Sequence, residues 1–315
     1  MRTRPLLCCV LLVSGFCVSA TAQVSVNDAY LLPATTISKT VDEVNLAFTV
    51  VDKKGRFVSN LQSQDFRLFD NHQAPRRLTF FEQRSNLPLH LALLIDASAS
   101  VKYRFNFEKE AAHTFMKKIL RPGVDKAFVV VFNDRVTTVQ ELTDKASGVS
   151  KALNRVKPEG NTSLYDAIVY AAEKLRGIPE QQIARRAIVL ISDGVDTVKR
   201  STLQQAERVA ARSETMIFAL STNYSEEDAN SEGDAVMKEL AASNGGSLLP
   251  AHDESGLHSA FRNVEKALRN QYVVAYNPSA FQADGSYRTV EVVPLKGGLR
   301  TNCRKGYYAK TRLQP

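Results

Sequence analysis

Four apolar runs, each followed by a segment with helical spacing, constrain this chain more than any other feature. Leu89 to Ile95, Ala127 to Phe132, Ala187 to Ile191 and Met216 to Leu220 lack the polar alternation of a half-exposed strand. Runs of that kind suit parallel strands covered on both faces. Between them Phe107, Ala111, Phe115 and Ile119 recur every four residues, and Ile168, Ala171, Ala172 and Leu175 form a second stripe. Leu203, Ala206, Val209 and Ala210 make a third. Val236, Met237, Leu240 and Ala241 make a fourth, stopped by Gly245-Gly246, and Leu257, Ala260, Phe261, Val264 and Leu268 a fifth. Strands alternating with amphipathic helices predict a doubly wound, mainly parallel α/β sheet over residues 86–270.

The flanks read differently. Val44 to Val51 is strand-like and ends in the turn Asp52-Lys53-Lys54-Gly55, while Phe66 to Phe69 and Leu78 to Glu82 alternate. Beyond the last helix, Gln271 to Tyr276, Tyr287 to Val293 and Leu299 to Tyr308 are β-rich, separated by Asn277-Pro278, Ala283-Asp284-Gly285 and Gly297-Gly298. Neither flank has enough strands for a stable sheet of its own. Residues 23–85 and 271–315 are therefore expected to pair into one small β-sandwich with the α/β domain inserted between them. There is no internal repeat or low-complexity segment.

The first 22 residues read as an export signal. Arg2 and Arg4 precede an apolar run from Leu6 to Val18, and Ala20-Thr21-Ala22 supplies a small-residue cleavage site before Gln23. That run is too short to span a ~30 Å hydrocarbon core as a helix. The expectation is a secreted or periplasmic protein with a cleaved signal peptide and no transmembrane segment. Three of the four cysteines, Cys8, Cys9 and Cys17, fall in this leader, so Cys303 has no partner for an intrachain disulfide. The formal charge of +8 resides mainly in the tail, where Gly285 to Pro315 carries seven Lys/Arg against one acid. A uniformly basic nucleic-acid binder is thereby disfavoured, and a solvated basic strand edge explains the tail.

One constellation carries chemistry. Asp96-Ala97-Ser98-Ala99-Ser100 follows the first buried strand, Gly160-Asn161-Thr162 lies just before a helix, and Ser192-Asp193-Gly194 follows the third buried strand. In an open parallel sheet, ligands bind at the carboxyl ends of strands. If the first and third strands are neighbours, Asp96, Ser98, Ser100, Thr162 and Asp193 meet at one rim. Five oxygen-bearing side chains without a soft ligand suit a hard cation such as Mg²⁺ or Mn²⁺. Each fragment alone has a simpler explanation, because Ser, Thr and Asp also cap helices and make turns. Their coincidence at strand ends favours a site.

At these residues the sequence resembles the von Willebrand factor type A domain family, and most of all its secreted bacterial branch with β-rich flanks. The stretches that carry the resemblance are LALLIDASAS, VVVFNDRV, GNTSLYDAI and AIVLISDGVDT, with NLQSQDFRLFDN, QYVVAYNPS and CRKGYYA in the flanks. The resemblance implies a Rossmann-like fold with one short antiparallel edge strand near Thr137 to Gln140, and a metal-ion-dependent adhesion site. It further implies that Ser98 and Ser100 ligate the metal directly, that Thr162 joins in the ligand-bound state, and that Asp96 and Asp193 act mostly through water. Ala99 stands where the family usually has Gly.

Other chemistries find less support. The histidines His72, His90, His113, His252 and His258 show no zinc spacing, and neither a G-x-S-x-G nor a G-x-G-x-x-G motif is present. The functional expectation is a non-enzymatic, adhesion-type binding module whose divalent cation bridges to an Asp or Glu of a partner protein. The alternative is a Mg-dependent hydrolase or phosphatase using Asp96 as nucleophile, although Ser98 stands where such enzymes usually carry a second Asp.

Overall fold

The computed structural model describes residues 43–179, 184–223 and 232–309. The expected export signal, residues 1–22, lies outside the described residues. The element order is β1 (Val44–Val51), β2 (Phe66–Asp70), β3 (Arg77–Arg84), β4 (Leu89–Asp96), α1 (Phe105–Ile119), β5 (Lys126–Phe132), β6 (Val136–Thr143), α2 (Ser147–Leu153) and α3 (Leu164–Arg176). It continues through β7 (Arg185–Ser192), α4 (Leu203–Arg212), β8 (Thr215–Ser221), α5 (Glu232–Ser243), β9 (Leu248–Pro250) and α6 (Glu254–Arg269). The chain closes with β10 (Gln271–Asn277), β11 (Tyr287–Pro294), β12 (Arg300–Cys303) and β13 (Gly306–Tyr308).

The four apolar runs become the centre of a six-stranded sheet in the order β6-β5-β4-β7-β8-β9. Every residue of β4 is buried, as its lack of alternation requires. Its successive side chains serve two different helix layers. Leu89, Leu91, Leu93 and Ile95 join the core under α1, α2 and α6, whereas Ala92 and Leu94 join the core under α3, α4 and α5. Phe115 of α1 stacks on Phe261 of α6 with ring centroids 4.3 Å apart, fixing these two helices side by side. β4 pairs in parallel with β5 on one side and β7 on the other, so the first and third apolar strands are neighbours. The antiparallel edge strand is β6, which includes the expected Thr137 to Gln140 and extends beyond it at both ends.

The flanking strands form two antiparallel sheets, β12-β1-β10-β3 and β13-β11-β2. They share one core, in which Leu46, Phe48, Tyr272, Val274 and Tyr276 of the first sheet meet Val290, Val292 and Tyr307 of the second. Asp70, at the end of β2, ties them together. Its carboxylate accepts bonds from Tyr276 Oη at 2.8 Å, Tyr307 Oη at 2.7 Å and Arg288 Nε at 2.7 Å. Burial and the adjoining Asp70 charge push both phenols well above their ordinary range, so both keep their protons and donate.

Three features depart from the sequence reading. The stretch Leu299 to Tyr308, expected as one strand, is two strands in different sheets: β12 pairs with β1 and β13 pairs with β11. The chain crosses between them at Arg304-Lys305, where Lys305 N bonds to Ser243 O at 3.0 Å and Lys305 O accepts Val290 N at 2.8 Å. The short helix α2 and the three-residue strand β9 were not foreseen, because neither is long enough to show a period.

Candidate metal centre

Four loops converge at the carboxyl ends of β4, β5 and β7, and backbone bonds lock them together. Ala97 N donates to Phe132 O at 2.8 Å, Glu159 N donates to Ala97 O at 2.9 Å, and Ala99 N donates to Gly160 O at 3.1 Å. Thr162 O in turn accepts Thr197 N at 2.9 Å and Val198 N at 3.1 Å. The loops after β4, after β7 and before α3 are therefore one assembly, held before any ligand arrives.

Within it, Asp96, Ser98, Ser100 and Asp193 form a chain of oxygen contacts. Asp96 is fully buried. Its Oδ1 accepts Ser98 N at 2.9 Å and its Oδ2 accepts Ser192 Oγ at 2.9 Å. Ser98 Oγ lies 3.0 Å from Ser100 Oγ, and Ser100 Oγ lies 3.3 Å from Asp193 Oδ2. Ser98 occupies the N-cap position of a single 3₁₀ turn, yet its hydroxyl makes no cap bond, and Ser163 at the start of α3 makes none either. The capping explanation for these hydroxyls therefore fails. Thr162 is buried in the same loop assembly, with its N–H held by Thr197 Oγ1 at 2.9 Å.

Beneath the rim sits a buried ion pair that sequence reasoning missed. Arg104 Nε lies 3.1 Å from Glu108 Oε1, Arg104 Nη2 lies 3.8 Å from Asp193 Oδ2, and Arg104 Nη1 donates to Thr222 O at 3.2 Å. Burial pushes Glu108 up to about 8 against the pull of Arg104, with Asp96 and Asp193 adding to the rise. Burial also raises Asp96 to about 6, despite the bonds from Ser98 and Ser192, and the charge of Asp193 adds to it. Glu108 and Asp193 thus both approach the Arg104 guanidinium, and the charge of Asp96 acts on the same cluster. Glu108 had a signal in the sequence, since it occupies a core-facing position of α1 between Phe105 and Ala112. Ser192 is the polar end of an otherwise apolar strand, and its hydroxyl spans Asp96 and Gly194 N, the latter at 3.1 Å. Asp134 and Asp166 brace the neighbouring loops. Asp134 Oδ1 accepts Asn161 Nδ2 at 2.9 Å, and Asp166 pairs with Arg200 at 3.3 Å.

The residues present fit a hard divalent cation. In an octahedral site with metal–oxygen bonds of about 2.1 Å, adjacent ligands stand about 3.0 Å apart, and the two serine hydroxyls already have that separation. The cluster's excess negative charge calls for a cation. Among the described residues no three His, Cys, Asp or Glu side chains gather in a metal-binding arrangement. Only a set built on hydroxyls is available, which selects against softer ions.

Comparison with known proteins agrees with this architecture. Residues 91–195 match the von Willebrand factor type A domain family. Among solved structures, a variant of the PilB minor pilin from Streptococcus sanguinis aligns with a TM-score of 0.50 at 12% identity, over 58% of this chain and 62% of the pilin. A von Willebrand factor type A protein from Catenulispora acidiphila aligns over 81% of this chain and 76% of its own at 13% identity and a TM-score of 0.44. Proximal thread matrix protein 1 from the mussel byssus, with a zinc-occupied MIDAS motif, aligns over 63% of this chain and 49% of its own, at 15% identity and a TM-score of 0.48. At such identities the likeness concerns the fold alone, and this chain spans less than two thirds of the pilin it matches. No curated protein sequence matches the chain.

Proposed function

Since the chain carries a von Willebrand factor type A domain spanning at least residues 91–195, we propose that it is a metal-dependent protein-binding module of the adhesion type. The observation that carries this reading is the contact chain Ser98–Ser100–Asp193 above the sealed carboxylate of Asp96. In this reading Ser98 and Ser100 hold Mg²⁺ or Mn²⁺ directly, and Thr162 joins when a ligand is bound. Asp96 and Asp193 hold its water shell and balance its charge. A divalent cation held there supplies an electrophilic position that takes a carboxylate oxygen from an Asp or Glu of a partner protein.

The remaining roles follow from the same geometry. Asp193 and Ser100 are accessible at the rim, whereas Asp96 is fully buried with each oxygen held by a donor. That placement suits Asp96 to fixing the loop more than to in-line attack on a phosphorus, which favours the binding reading over the hydrolase alternative. The proposal places the α/β module at residues 86–270, flanked by sandwich segments 23–85 and 271–315, in a protein exported by its leader to the periplasm or the medium. Among the described residues no helix is long and apolar enough to cross a membrane.

Calorimetric titration of Mg²⁺ and Mn²⁺ into the purified chain and into Ser100→Ala and Asp193→Ala variants tests the site. Both variants remove a rim group and leave the core intact. Binding to the parent that is lost in both, with chelator-sensitive capture of an acidic peptide, is expected. Unchanged metal affinity in both variants refutes the assignment.

A further inference from the structure

Arg104 follows Ser100 on the same loop, at the N-cap position of α1, and is only 6% exposed. Burying a guanidinium there carries a desolvation cost, which its contacts offset. Nε lies 3.1 Å from Glu108 Oε1, Nη1 donates to Thr222 O at 3.2 Å, and Nη2 lies 3.8 Å from Asp193 Oδ2. The last separation is too long for a hydrogen bond. Arg104 therefore acts on Asp193 through its charge, without a directional bond.

Other groups set the orientation of both rim carboxylates. Asp193 Oδ1 accepts Val195 N at 3.2 Å, and its Oδ2 faces Ser100 Oγ at 3.3 Å. Asp96 is held by Ser98 N and Ser192 Oγ. Neither depends on the guanidinium to find its place. What Arg104 adds is one positive charge beside a cluster of acids, fixed there by fully buried Glu108 one turn along α1. Charges act strongly on one another where water is excluded.

We propose that Arg104 is a resident counter-cation of the rim, which balances part of the acids' charge, competes with a divalent cation for them, and so holds the affinity for that cation down. This rests on the reading of the rim as a metal site. A single opposite charge within ~4–6 Å of a carboxylate changes its affinity for a proton by about 10- to 1000-fold, and a divalent cation draws on the same oxygens. A cation held weakly for this reason depends more on an oxygen supplied by the partner, so the charge beneath the rim makes loading conditional on a ligand.

The test is a charge series in the full chain, built on Glu108→Gln. Removing the Glu108 charge first prevents that buried carboxyl from taking up a proton when Arg104 is changed and so masking the effect. In Glu108→Gln the guanidinium still has Asp193 as an acid, and Glu108→Gln/Arg104→Met removes both members of the pair together, which a fold tolerates better than the loss of one. Glu108→Gln/Arg104→Lys keeps the charge on a slimmer side chain and is a second charged reference should Glu108→Gln fold poorly. Calorimetry is expected to show Mn²⁺ bound at least about tenfold more tightly by the Met variant than by Glu108→Gln, with the Lys variant within about threefold of Glu108→Gln. The same Mn²⁺ concentration should raise the urea midpoint most in the Met variant. Equal affinities across the series overturn the proposal. Weaker binding by the Met variant also overturns it, because Arg104 then orients Asp193, and so does a Lys variant that binds as tightly as the Met variant. Binding to the parent with an indifferent series leaves the metal reading standing, whereas no Mn²⁺ binding by the parent or any variant refutes both.

Discussion

Ser192 is the residue on which the candidate metal centre can be tested without touching a proposed ligand. Its hydroxyl is buried, donates to Asp96 Oδ2 at 2.9 Å and accepts Gly194 N at 3.1 Å. Ser192→Ala leaves one carboxylate oxygen and one backbone N–H unpartnered. A hydrogen bond to a charged group contributes about 1.5–3 kcal/mol, and an orphaned buried donor adds its own desolvation cost. A loss of about 2–3 kcal/mol in urea unfolding is therefore expected. The same change frees Asp96 to turn away from Ser98, and loss of such a supporting bond typically lowers metal affinity 10- to 100-fold, equivalent to about 1.4–2.7 kcal/mol. Ser213→Ala is the control. Ser213 Oγ is also buried and makes two bonds, to Ala210 O at 2.9 Å and Thr215 Oγ1 at 2.7 Å, but it lies at the other end of the sheet. Both variants should be destabilised to a similar degree, and only Ser192→Ala should weaken Mn²⁺ binding by calorimetry. Equal Mn²⁺ affinities in the two variants would show that the orientation of Asp96 is irrelevant to the site.

Three further outcomes are expected. Asp70→Ala strands the buried Arg288 guanidinium and two tyrosine hydroxyls, and breaking such a pair costs about 3–5 kcal/mol; a loss below about 1 kcal/mol in chemical unfolding refutes the bridging role. Burial pushes Asp125 up, but bonds from Arg121 and Arg269 outweigh it and hold its carboxyl below the usual range; with an unfolded value near ~3.9, its contribution is present above that pH and lost as pH falls through the lower folded value. The stability gap between the parent and Asp125→Asn should then be constant at neutral pH and close only in acid, and a gap that already narrows near neutrality contradicts this assignment. Gly233→Ala places a Cβ on the backbone of Asp193 and Gly194; displacement of that loop is expected to cost about 1–3 kcal/mol and to weaken Mn²⁺ binding, and unchanged values for both refute the contact.

The parallel core was legible in the sequence because a strand covered on both faces cannot alternate. β4 is apolar almost throughout and buried throughout, and the helical stripes that cover it repeat over two or more turns. The ligand-type residues at the rim were legible for a related reason: a chain leaving a parallel strand must turn at its carboxyl end, so polar residues directly after Ile95 and Ile191 fall there. The flanking sandwich could be inferred from strand count alone, since neither flank could stand without the other. Tertiary structure alone decided where short elements went. β9 and α2 are stabilised by the sheet edges and helices they pack on, not by a period of their own. Arg304-Lys305 interrupts what reads as one strand because its backbone is engaged by Ser243 and Val290, residues far away in sequence. The same holds for the charge balance of the site. That Asp96 is sealed and that Glu108 and Arg104 lie beneath it both depend on burial, and burial is a property of the packed chain, which no local stretch of sequence specifies.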